Sequence, residues 1–179
     1  EGIQVGTAFA MCAESGLRAD FKRTLLEQVR SGATDIFTDP KASPTGFPFK
    51  VARVPGTLSD EGVLDARPRI CDLGYLREAY RTTDGAVGFR CPAEPVNVYE
   101  SKGGDRAATE GRACICNALV ATTGLPQVRA GRLVEPGIIT MGDDLPGVAR
   151  FLSPGATEYT AADVIAVLEY ESQAVSKLA

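Results

Sequence analysis

Residues 2–10, Gly2-Ile-Gln-Val-Gly-Thr-Ala-Phe-Ala10, decide the fold expected of this chain. The run is apolar and β-rich with very little polar alternation, the pattern of a parallel strand covered on both faces. Behind it Ser15 stands as an N-cap, Leu17, Phe21, Leu25 and Val29 recur every four residues, and Gly32 supplies a C-terminal stop. Strand, loop and helix in that order predict one βα module of an α/β protein over residues 1–33. No second module follows at βα spacing.

Residues 34–179 read as an extension of short strands, a hairpin and helices. Asp39-Pro40 and Ser43-Pro-Thr-Gly-Phe-Pro48 punctuate a loop, and Phe49 to Val54 alternates like a short strand. Leu58 to Ala66 has room for a turn of helix. Tyr75-Leu-Arg77 and Val87-Gly-Phe-Arg90 flank Asp84-Gly85, a hairpin signal. Thr109 to Thr123 carries a helical pattern stopped by Gly124, and Ile138 to Met141 is a candidate strand. Thr160-Ala-Ala-Asp163 has the form of a capping box with Asp in the fourth place, opening a helix with Val164, Leu168, Val175 and Leu178 on one side.

The length of 179 residues suits one domain with a tail or a small second one. Nineteen Lys and Arg against 23 Asp and Glu give a net charge of −4, which supplies no basic face for nucleic acid. The chain contains no histidine, which removes Ser-His-Asp and Cys-His catalysis, His-ligated metals and the commonest general base. No apolar stretch approaches the roughly 18 residues of a membrane span, and the first residues lack the order of a signal peptide. The expectation is a soluble, cytoplasmic protein that meets neither membrane nor nucleic acid. The opening Glu1-Gly-Ile-Gln-Val5, without Met, reads as a piece of a longer protein.

Four groups of residues carry candidate chemistry. Gly6-Thr7, at a strand end ahead of a helix, offers backbone N–H groups and a hydroxyl to a phosphate, although spacing alone favours a buried strand. Cys71, Cys91, Cys114 and Cys116 have 19, 22 and 1 intervening residues. Four thiolates can close a tetrahedral zinc site, but Cys-x-Cys is tighter than the usual knuckle, so free thiols without metal are expected, and Cys12 is read as a core filler. Phe47 and Phe49 could cover a flavin or apolar substrate, with Lys50 and Arg53 attracting an anion. Asp60-Glu61 and Asp143-Asp144 are sequence neighbours that point apart, so solvated loop charge is expected there, and Tyr159 reads as a packing residue.

Gly2-Ile-Gln-Val-Gly-Thr-Ala-Phe9 resembles the last barrel strand of the nitronate monooxygenase family, flavin enzymes formerly called 2-nitropropane dioxygenases. The resemblance continues through Glu14-Ser-Gly-Leu17, Thr38-Asp-Pro-Lys-Ala-Ser-Pro-Thr-Gly-Phe-Pro-Phe-Lys50, Cys71-Asp-Leu-Gly-Tyr-Leu-Arg77, Arg90-Cys-Pro-Ala-Glu-Pro95 and Cys114-Ile-Cys-Asn-Ala-Leu119. It implies the C-terminal part of a (β/α)₈ barrel, incomplete here because such a barrel takes about 250 residues. It further implies FMN as cofactor and oxidation of small alkyl nitronates with molecular oxygen, with Gln4, Gly6 and Thr7 matching the flavin-phosphate strand. The family's catalytic histidine has no counterpart, so no catalytic residue is assigned and activity is expected of a complete parent enzyme rather than of this chain. The missing barrel segment, or self-association through unpaired strand edges, is the expected partner. The rivals are another FMN barrel oxidoreductase, such as a flavin-dependent enoyl reductase, and a non-catalytic Cys₄ zinc-bearing interaction module.

Overall fold

The computed structural model describes residues 5–176. In chain order these form α1 (Thr7–Met11), α2 (Ala19–Ser31), β1 (Ile36–Asp39), β2 (Phe49–Ala52), α3 (Glu61–Ala66), β3 (Glu78–Arg81), β4 (Val87–Arg90), α4 (Val96–Ser101), α5 (Ile115–Thr122), β5 (Val128–Arg129), β6 (Leu133–Val134) and α6 (Ala161–Ser176), with 3₁₀ turns at Arg106–Thr109 and Leu145–Phe151. The strands make three separate two-stranded antiparallel sheets, β1–β2, β3–β4 and β5–β6. No described helix is long and apolar enough to cross a membrane.

The expected barrel strand and helix are therefore not what the described chain forms. Residues 7–10 of the opening run wind, with Met11, into α1, which buries Thr7, Ala8 and Met11 on one side. Positions i, i+1 and i+4 share a helical face, and a short apolar run fits a buried helix as well as a buried strand. No parallel neighbour is present among the described residues to pair with a strand there. Gln4 lies outside the described residues. Ser15 does not cap a helix either; its hydroxyl donates to the Ala10 carbonyl at 2.6 Å, and α2 begins four residues later at Ala19. Of the expected stripe, Phe21, Leu25 and Val29 are buried in α2, whereas Leu17 precedes the helix and is half-buried; Gly32 ends α2 in the left-handed conformation (φ 69°).

The chain divides into two units, residues 1–36 with 141–179, and residues 37–140. In the first, Tyr159 joins sequence-distant segments. Its buried hydroxyl donates to the Ala8 carbonyl at 2.6 Å, its own carbonyl accepts from the Ala13 N–H at 2.8 Å, and its ring lies 5.5 Å from that of Phe151. The start of α6 is capped as the sequence predicts: the Asp163 carboxylate accepts from the Thr160 N–H at 2.7 Å, while the Thr160 hydroxyl accepts from the Asp163 N–H at 3.2 Å. Glu14 adds a carboxylate that accepts from the Ala161 N–H at 3.0 Å. Its own N–H and then that of Ala161 hold Glu14 below the ordinary carboxylate range, and the Thr160 N–H does the same for Asp163. Val164 is buried; the side chains of Val175 and Leu178 lie outside the described residues.

In the second unit, Val51, Leu58, Ile115, Ala118 and Ile138 form a core flanked by Phe37, Phe49 and Leu119. The hairpin closes at Asp84-Gly85 with Tyr80 opposite Gly88, though β3 starts at Glu78, beyond the expected Tyr75–Arg77. Gly111 adopts φ 66°, which breaks the expected helix, so α5 starts only at Ile115. Residues 138–141 form a single bridge, Val51 to Thr140, instead of a strand, with the Ala52 N–H donating to the Ile139 carbonyl at 2.9 Å.

Two outcomes follow for the first unit. Tyr159→Phe leaves the buried Ala8 carbonyl without its donor and is expected to cost about 1–3 kcal/mol, read as a lower urea midpoint at unchanged slope; an unchanged midpoint would refute the contact's contribution. Because the folded-state pKa values of Glu14 and Asp163 are lowered, their stabilisation is present above the ordinary carboxylate pKa and is lost as pH falls through the lowered values. Asp163→Asn should flatten the acid limb of a helicity-against-pH curve.

Candidate functional site

Gly6 and Thr7 do form a corner, but between the chain and its own loop 142–144. The Thr7 hydroxyl donates to Asp144 Oδ1 at 2.7 Å and accepts from the Gly142 N–H at 3.2 Å. A Cβ on Gly142 would come within 2.3 Å of the Asp144 carboxylate as it lies, so a side chain there would displace that carboxylate, whereas a Cβ on Gly6 would meet nothing within 4 Å. Thr7 is 7% exposed. A phosphate beside this hydroxyl would find its one donor already engaged and a carboxylate next to it. As arranged, Gly6 and Thr7 do not fit the FMN phosphate. Asp144, expected to be solvated loop charge, is the partner that the sequence reading missed.

The aromatic and cationic group divides. Phe47, 59% exposed, and Phe49 meet each other edge-on, with ring centroids 4.8 Å apart. Neither lines the cavity of about 330 Å³ in this unit, which is bounded by Phe37, Asp39, Lys41, Arg53, Glu61 and Asp65 among others. Arg53 does reach it, its guanidinium 4.1 Å from the centre of the Phe37 ring. Three carboxylates against two cations make this cavity unsuited to an anionic substrate. Asp60 caps α3 by accepting from the Gly62 N–H at 3.0 Å.

Three of the five cysteines are brought together. Cys91, at the end of β4, and Cys114, at the start of α5, are buried in one cluster with Ala93, and Cys116 packs against it. Cys71 accepts from the Arg77 guanidinium at 3.7 Å and bears electrostatically on Cys91. Burial pushes the Cys91 thiol up to about 11 and raises that of Cys114, opposed by N–H donors at Ala93 and Asn117. All five cysteines are free thiols. Cys12 stands elsewhere, buried, donating to the Phe9 carbonyl at 3.1 Å. Among the described residues no group of three or more Cys, Asp or Glu side chains is disposed so as to hold a metal ion.

An ion network braces this cluster. Glu135, fully buried, accepts from Arg67 at 2.5 Å and pairs with Arg129 at 2.8 Å. Arg129 also pairs with Asp72, which accepts from the Asn117 amide at 2.7 Å; Asn117 in turn donates to the Ile70 carbonyl at 3.3 Å. The segment carrying Cys71 is thereby tied to the helix carrying Cys116. No protein-family model matches the chain, and no curated protein or solved structure matches it.

Glu135→Leu removes the buried carboxylate that Arg67 and Arg129 share, leaving Arg67 only the Ile70 carbonyl and Arg129 only Asp72, and is expected to cost about 3–5 kcal/mol, whereas Arg67→Met added to it should recover part of that loss. Chemical denaturation of the single and double variants checks this; a double variant no more stable than Glu135→Leu would show that the pair is not the source.

Proposed function

We propose that the chain is part of an FMN-dependent oxidoreductase of the nitronate monooxygenase kind, oxidising a small nitronate-like anion with molecular oxygen. The observation that carries this reading is the resemblance of the six quoted segments, spread from residue 2 to residue 119. In its support, Arg90–Pro95 and Cys114–Leu119 meet in one small cluster, and Cys71–Arg77 reaches the latter where Asp72 accepts from the Asn117 amide and the Leu73 N–H donates to Asn117 Oδ1, so that segments alike in wording are also neighbours in space. FMN would supply the redox chemistry, and the protein's share is binding and orienting it.

Flavin titration of the protein that carries this chain tests the reading. FMN should bind more tightly than riboflavin, which lacks the phosphate, and an alkyl nitronate should drive oxygen consumption by the flavin-loaded protein. Absence of FMN binding would sink the proposal. The same titration decides the Thr7 corner. If Thr7 turns from Asp144 to the phosphate, Thr7→Ala loses a hydrogen bond to a charged group of about 1.5–3 kcal/mol, roughly a ten- to hundredfold weaker FMN affinity. Asp144→Asn, which removes the opposing charge, should then tighten FMN and leave riboflavin unchanged. Equal FMN affinity in all three proteins would make the corner purely structural.

A further inference from the structure

We propose that the cavity of about 630 Å³ lined by Arg69, Val96, Arg106, Ala107 and Glu110 is a binding site for a small monocarboxylate, with Arg69 as the group that takes the carboxylate. The proposal does not rest on the flavin reading.

Arg69 is a cation for which the fold supplies no counter-charge. Its side chain is half-buried, and its protein acceptors are main-chain carbonyls: Nε donates to that of Glu94 at 3.1 Å, and Nη2 to that of Pro92. Among the described residues no carboxylate pairs with it. The buried carboxylates of the 37–140 unit are committed elsewhere, Glu135 to Arg67 and Arg129, and Glu94 to Lys102 at 2.8 Å. Charges withdrawn from water are normally paired, so an unpaired guanidinium at the wall of a cavity is a place where an anion from outside is stabilised. Burial, and then the like charge of Arg67, pull the Arg69 guanidinium below its ordinary value, which is the same deficit of negative charge seen from the side of the proton.

The donors that remain fit a carboxylate. A guanidinium has five N–H groups, and the two carbonyls use one on Nε and one on Nη2. The end-on pair on Nη1 and Nη2 is left, and its planar spacing matches the two oxygens of a carboxylate.

The rest of the lining sets the kind of anion. Val96 and Ala107 offer apolar wall to a short alkyl chain. Arg106 is already paired with Glu100 at 3.2 Å, and Asp105, which also lines the cavity, accepts from the Ala107 N–H at 3.0 Å. Glu110 is the lining carboxylate without such a partner among the described residues. One uncommitted guanidinium facing the same space as one uncommitted carboxylate favours a single negative charge over a phosphate dianion, whose second charge would be repelled by Glu110.

Sodium butyrate titrated into the protein, against sodium chloride at equal ionic strength and followed by the butyrate NMR signals, should show saturable binding at a single site, with inorganic phosphate weaker than butyrate. Arg69→Lys, which keeps the charge and loses the planar fork, should weaken butyrate roughly tenfold. Glu110→Gln should tighten it. Because Arg69 also ties the chain through two carbonyls, its variant can fail by unfolding; Glu110→Gln, altered at an exposed residue, then decides. No saturable butyrate binding beyond the chloride control, phosphate bound more tightly than butyrate, unchanged affinity in a folded Arg69→Lys, or unchanged or weaker affinity in Glu110→Gln would each overturn the proposal.

Discussion

Glu135 is a carboxylate buried between two guanidinium groups, and the architecture of the 37–140 unit depends on that arrangement. An ionised carboxylate without partners in such a position would cost several kcal/mol, so the chain can close around it only if Arg67 and Arg129 arrive together. Their arrival fixes more than one charge. Arg67 also donates to the Ile70 carbonyl at 3.1 Å, and Arg129 carries the link onward to Asp72 and Asn117. Two-stranded sheets are marginal by themselves, and the three here share no hydrogen-bonded strand. Polar ties between loops and α5 supply constraint that a larger sheet would otherwise provide.

What could be read from the sequence was local. The turn at Asp84-Gly85, the stop at Gly32 and the Thr160–Asp163 cap each depend on residues within a few positions of one another, and each is present. The opening run failed because its apolar residues satisfy two periodicities over so short a length, and the choice fell to tertiary contacts between α1 and distant segments. The ion network was invisible for a related reason: Arg67 and Glu135 lie 68 positions apart, and Arg129 and Asp72 lie 57 apart. Thr7 and Asp144, 137 apart, are the extreme case. A residue type at either end of such a pair says nothing about its partner.

The candidate sites differ in how the structure treats them. At Thr7 it supplies a carboxylate where a phosphate would need a donor, so the corner has the wrong polarity for an anion. Around Cys91 and Cys114 burial outweighs the nearby N–H groups, so the surroundings favour the neutral thiol.

The first unit is assembled from residues 1–36 and 141–179, with residues 37–140 running as a single excursion between its two parts. Contacts such as Tyr159 to Ala8 can therefore form only after the chain has closed a loop of that length. Closure entropy grows slowly with loop length, but non-local contacts of this kind slow folding strongly. A 37–140 unit that folds first shortens the span to be closed, replacing a long flexible tether by a compact body with two exits. The connectivity thus leaves the middle of the chain with contacts inside one continuous stretch, whereas the first unit depends on residues from both ends.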